Sequence, residues 1–167
     1  YNLWRPVVAI RHQFDSTWLP LGAPRSNGNP AAGEKNFTPN FPAYPSGHAT
    51  FGAAALHLTR LFLHARVPGR PAGPLDLAAD GFAFDFMSDE YDGHNRDVHG
   101  TVRPRRTHHF DHIAQAIAAN GDSRVHLGVH WAFDADATIA GQRLGGTPLG
   151  LAIAEEVHGA IMEPRAL

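Results

Sequence analysis

The sequence predicts an all-α fold, a helical bundle, and three observations carry that expectation. Apolar residues recur at helical spacing in two stretches, Phe51, Ala55, Leu58 and Phe62 in the first and Leu149, Ile153, Val157 and Ile161 in the second. No segment shows the apolar–polar alternation of a half-buried strand. With 167 residues, 43% of them apolar, the chain has the length and content for one domain with a core of its own.

The elements follow in order. Residues 1–14 surround a Trp4-Arg5-Pro6 triplet, where Pro6 disfavours helical geometry at Arg5, so a helix arriving from upstream should end or kink here. Residues 20–45 are dense in Pro, Gly and Asn and read as one long active-site loop. Ser46 can cap a helix over about 47–65, which Pro68-Gly69 stops; His57, Arg60 and His64 fall off its apolar stripe. Residues 66–108 carry only a weak helical signal, over 75–87. Ile113, Ala116 and Ile117 mark a short helix over 111–120 with Gly121 as its left-handed stop. A further helix is expected from about 130, and Thr147-Pro148 reads as the N-cap and first residue of the last one. No internal repeat is visible, and residues 1–167 are taken as one catalytic helical domain, a C-terminal piece of a longer helical polypeptide.

Composition excludes several classes. The absence of cysteine rules out a disulfide scaffold and a thiolate metal site. A net charge of −2 gives no reason to expect a nucleic-acid or anionic-membrane partner. No apolar run reaches the roughly 20 residues of a membrane helix, so the chain is expected to be soluble. Lys35 is the only lysine among 14 basic residues, and there are 12 histidines. Arginine suits the planar recognition of oxyanions, and histidine titrates near neutrality.

Three clusters suit oxyanion chemistry: Trp4-Arg5-Pro6, Pro45-Ser46-Gly47-His48, and Ser123-Arg124 followed by His130 and Asp134. Ser46 offers a hydroxyl and Gly47 an unobstructed amide at a helix N-terminus, whose free N–H groups and dipole favour a tetrahedral anion. Arg5 and Arg124 can each clamp two oxygens. His48, in the first turn, is placed to act as an acid or base. His130 lies six residues after Arg124, about 120° away on a continuous helix, and Gly128 between them permits a break. Asp134, four residues after His130, can fix the imidazole tautomer. Taken singly, each residue reads more simply as a cap, a surface ion-pair partner or a satisfied core group; the conjunction is what is rare.

These three clusters resemble the motifs of the type 2 phosphatidic acid phosphatase and vanadium haloperoxidase superfamily. The longer strings from Phe41 to Gly52 and from Arg124 to Asp134 are similar to the vanadium-dependent chloroperoxidase branch, as are Glu90–Asp97, His109–Asp111 and Gly145–Gly150. The resemblance implies vanadate in a helical bundle, with phosphate able to occupy the same site. Arg5, Ser46, Gly47 and Arg124 would hold equatorial oxygens, His130 would bind vanadium, and His48 would face the apical oxygen and peroxide. The implied reaction oxidises halide with hydrogen peroxide to hypohalous acid. Phe41 matches an aromatic position of the chloroperoxidase branch, which favours chloride over bromide. A family lysine and a companion tryptophan would fall ahead of Tyr1, within an N-terminal helical region that packs on this one. Fungal relatives are secreted, and an organic substrate beyond peroxide and halide is open.

The alternative within the superfamily is an acid phosphatase, with His130 attacking phosphorus to give a phosphohistidine and His48 protonating the leaving oxygen. Outside it stand a non-catalytic structural piece and a divalent-metal binder built on His108, His109 and His112.

Overall fold

A computed structural model describes residues 1–18, 20, 38–66, 75–97 and 100–162. The predicted loop over 20–45 lies outside them except for Pro20 and residues 38–45. Five α-helices dominate the described residues: α1 Pro6–Gln13, α2 Gly47–Arg66, α3 Ile113–His126, α4 Ala132–Ala135 and α5 Gly146–Met162. Two antiparallel ladders accompany them, β1 Phe84–Phe86 with β2 His108–Phe110 and β3 Ala137–Ile139 with β4 Gln142–Leu144. Strands of three residues are too short for alternation to register in the sequence. None of the described helices is long and apolar enough to cross a membrane.

Pro6 opens a helix rather than ending one. Arg5 is extended at the N-cap (ψ 155°), and Pro6 takes a first-turn position where its missing N–H costs nothing. Ser46 caps α2 as expected: its Oγ accepts from the Ala49 N–H at 3.4 Å, and its carbonyl accepts from Thr50 N at 3.0 Å.

Helix α2 packs on α5 and α3, but through the face opposite to the predicted one. The buried residues are Ala49, Thr50, Ala53, His57 and Arg60, while Phe51 is 75% exposed and Phe62 points outward. The same inversion holds in α5, where Leu149, Ile153 and Val157 are exposed and Ile161 is 65% exposed. Two physical reasons account for it. The α2–α5 contact is made backbone to backbone: a Cβ on Gly146 would sit 2.3 Å from the Ser46 carbonyl oxygen, and one on Gly150 2.3 Å from that of Thr50. Large side chains have no room on that face. The inward polar groups, moreover, satisfy one another. Arg60 Nε donates to His57 Nδ1 at 2.7 Å and its Nη1 to the Leu77 carbonyl at 3.0 Å, with Asp80 Oδ2 at 3.5 Å. His57 Nε2 reaches Glu155 on α5 at 3.4 Å.

Residues 75–83 are irregular and 84–86 form β1, so the weak helix over 75–87 is absent. Asp80 explains what this segment does instead. Its carboxylate accepts from Phe82, Ile113 and Ala114 N–H groups at 3.0 Å each, and so caps α3 from outside the helix. Helix α3 then runs six residues past Asn120. Gly121 is buried against Ala135 and Thr147 as an ordinary helical residue, and the left-handed stop falls at Gly128 (φ 72°). The helix expected from 130 shrinks to the single turn of α4, because β3 and β4 follow at once. Thr147 lies buried inside α5, whose entry is Gly145 (φ 123°). Ala53, Ile113 and Ile117 form the core between α2 and α3, with Leu56, Leu63, Phe82, Phe84 and Leu151 packed around it.

Candidate functional site

The site forms where the entrances of α1 and α2 meet the chain reversal after α3. At Gly128 the backbone folds back, so that the Val129 and His130 N–H groups both bond the Arg124 carbonyl, at 3.1 and 3.3 Å. This reversal sets His130 beside Arg124 despite their helical offset. Asp134, fully buried on α4, holds the new segment: its Oδ2 accepts from Trp131 N and from His130 Nδ1, both at 2.9 Å. Its carbonyl accepts from Ser46 N at 2.9 Å, tying the α2 entrance to the same point.

A carboxylate only accepts, so Nδ1 of His130 carries the proton toward Asp134 and Nε2 faces the other way. There it lies 3.1 Å from Arg5 Nη1. Arg5 is itself buried, at 3% exposure, and is clamped by two segments. Its Nε donates to the Phe41 carbonyl at 2.9 Å, its Nη1 donates to the Val129 carbonyl at 2.8 Å, and its guanidinium lies 4.6 Å from the Phe41 ring centre. Phe41 is 60% exposed, so one ring face covers Arg5 while the rest is open.

The electrostatics are strongly one-sided. Burial and the neighbouring Arg124 lower the proton affinity of Arg5, with Asp134 opposing; burial does the same to Arg124. His48, in the first turn of α2, is pushed below its usual 6.5 by partial burial and then by Arg124, His130 and Arg5. Among the described residues Asp134 is the one carboxylate opposing this charge, and it acts on Arg5. Such a cluster is at odds with itself unless an anion joins it. The donors are ready for one: Arg5 Nη2 and Arg124 Nε are buried with no hydrogen-bond partner among the described residues. Above Gly47 a Cβ would meet only the Phe51 ring, at 3.9 Å, so the helix entrance stays open. The residues present therefore fit a tetrahedral oxyanion such as vanadate or phosphate, held by arginine donors and a helix N-terminus and reached by one imidazole nitrogen.

The structure thus brings Arg5, Phe41, Ser46, Gly47, His48, Arg124, His130 and Asp134 to one place. The three histidines of the proposed divalent site have other partners. His108 stacks on Phe110, His109 pairs with Asp85 and Asp111, and His112 Nδ1 accepts from Gly81 N. Among the described residues no group of three or more His, Asp or Glu is placed to hold a metal ion. Sequence reasoning missed Asn120, whose Nδ2 donates to the His48 carbonyl at 2.8 Å, and Trp131, whose indole N–H donates to the Trp4 carbonyl at 2.8 Å. Neither carries a spacing signal, since both act through backbone oxygens of distant segments.

Residues 1–161 match the VCPO second helical-bundle domain. The chain is 33% identical to vanadium chloroperoxidase of Curvularia inaequalis over 223 aligned positions, which cover 98% of this chain and 35% of that protein. The chain thus spans about a third of the length of this curated relative. By fold, by motif and by these matches, the chain belongs to the vanadium chloroperoxidase family, as its second helical-bundle domain.

Proposed function

We propose that this chain supplies the oxyanion-binding and acid–base groups of a vanadium-dependent haloperoxidase. The reaction turns halide, hydrogen peroxide and a proton into hypohalous acid and water, with chloride preferred over bromide. The observation that carries the reading is the pair of buried arginine donors, on Arg5 and Arg124, with no partner among the described residues, beside His130 Nε2. Vanadate bound there supplies Lewis-acid activation of peroxide without a change of oxidation state.

The protein's own groups do the rest. Arg5 and Arg124 balance the anion's charge in a site shielded from water, where each hydrogen bond counts for more. The Ser46 hydroxyl and the Gly47 amide add donors at the positive end of α2. Asp134 keeps the proton on Nδ1 of His130, so that Nε2 keeps a lone pair, which accepts from Arg5 Nη1 at 3.1 Å and is the one ring atom able to turn to the anion. Burial and the cationic neighbours lower the basicity of His48, which favours the uncharged imidazole that can take a proton from peroxide. The Phe41 ring beside Arg5 offers a weakly hydrated edge, which supports chloride as the halide.

The test loads the intact protein with orthovanadate and follows halogenation of monochlorodimedone with peroxide and either chloride or bromide. Vanadate-dependent halogenation, lost in His130→Ala, is expected. Saturable phosphate-ester hydrolysis with no halogenation at any halide would replace this reading with the phosphatase, because His130 Nε2 is equally placed to attack phosphorus.

A further inference from the structure

A second cavity opens one helical turn from the anion site. This cleft of about 700 Å³ lies between α2, α3 and the β1–β2 ladder. Its size falls within the ~300–1,000 Å³ of small-molecule sites. Aromatic side chains dominate it: Phe84 and Phe110 face each other across the ladder with ring centres 5.3 Å apart, and Phe86 and Tyr91 expose their rings to the opening. Leu56 and Ala116 form the floor.

Two features tie this cleft to the chemistry next door. Gly52, which lines it, lies four residues after His48 on α2, a rise of about 6 Å. Asn120, which also lines it, holds the His48 carbonyl. A third feature sets the charge of the occupant. Arg106 lines the cleft with its guanidinium 5.9 Å from the Tyr91 ring centre and makes no ion pair with any carboxylate among the described residues. Apolar walls with the Arg106 guanidinium among them are complementary to a flat anion.

We propose that this cleft binds the organic acceptor of the halogen, a hydroxylated aromatic carboxylate, with its ring among the phenylalanines and its carboxylate on Arg106. The inference rests on the haloperoxidase reading, which supplies hypohalous acid as the oxidant. In the step itself, a ring carbon made electron-rich by the hydroxyl attacks the halogen and a carbon–halogen bond forms. The oxygen–halogen bond breaks with its electron pair left on oxygen. The displaced ring proton joins that oxygen as water. A ring seated a turn from His48 would intercept hypohalous acid before it diffuses away.

The experiment titrates the intact protein, free of vanadate, with 4-hydroxybenzoate and with its uncharged methyl ester, following ligand signals by NMR. Saturable binding of the acid is expected. It should be abolished in Ala119→Trp, which fills the cleft from an exposed position on α3, and weakened about tenfold in Arg106→Gln, the size expected for a lost charged hydrogen bond. The ester should be indifferent to Arg106→Gln. Absence of saturable binding, binding that survives Ala119→Trp, or equal loss of acid and ester in Arg106→Gln would overturn the proposal. Monochlorodimedone halogenation by the vanadate-loaded protein separates the two readings. Halogenation without aromatic binding defeats only the cleft, and binding without halogenation defeats the haloperoxidase assignment and with it the acceptor role, leaving the carboxylate site.

Discussion

Asp134→Ala and Asp134→Asn probe the two roles of this carboxylate, acceptor and charge. In the folded protein Oδ2 takes hydrogen bonds from His130 Nδ1 and Trp131 N, while Oδ1 is buried and makes none with the described residues. An asparagine oxygen in the Oδ2 position still accepts both bonds, but its amide nitrogen brings N–H donors to the buried Oδ1 position, where no acceptor stands among the described residues. The asparagine variant therefore loses the charge, about 1 kcal/mol, and leaves its amide nitrogen without an acceptor, about 1–3 kcal/mol more. The alanine variant leaves two buried N–H donors without an acceptor, at about 1–3 kcal/mol each, so roughly 2–6 kcal/mol in all. Against a total stability of about 5–15 kcal/mol, that is a large loss. The bond from Ser46 N to the residue-134 carbonyl remains in both variants, since it uses backbone alone. Urea unfolding without vanadate at pH 7.5 reads each loss as a shift in midpoint at constant slope. A loss within about 0.5 kcal/mol of zero in either variant, the scatter of ordinary surface changes, would refute the reasoning.

Two further outcomes follow from the same geometry. The folded protein holds the His48 proton less tightly than the unfolded chain does, so the stability linked to His48 is complete above about pH 6.5 and is lost as pH falls through the lower, folded value. An NMR titration should place the His48 midpoint below 6.5 and move it upward in Arg124→Gln; an unmoved midpoint would mean that Arg124 does not act on this ring. Asp80→Ala should be the most damaging single change outside the site, about 3–5 kcal/mol, because it strips the caps from α3 and leaves Arg60 buried without its carboxylate. A thermal melt within a few degrees of the wild type would contradict that.

What the sequence revealed and what it hid divide along a physical line. Local chemistry was legible: Ser46 opens α2, Gly128 breaks the chain between Arg124 and His130, and Asp134 meets His130 at four-residue spacing. These need only dihedral preference and helical pitch. The facing of α2 and α5 was not legible, because periodicity shows that a helix has two faces and does not say which one is covered. Gly146, Gly150 and Ala53 decided it by allowing two backbones to touch, and His57 and Arg60 went inward because Asp80 and Glu155 were there to meet them. The length of α3 was missed for a related reason. Gly121 looks like a stop, but it is a point of close contact with Ala135.

The contact between Gly146 and the Ser46 carbonyl reaches beyond packing. A hundred positions apart in sequence, the two share one hydrogen's width of space, so the first residue of α5 acts as a gauge for where α2 begins. Even a methyl group at 146 would have to displace the peptide that presents the Ser46 hydroxyl and the Gly47 amide, and the oxyanion would feel a substitution it never touches.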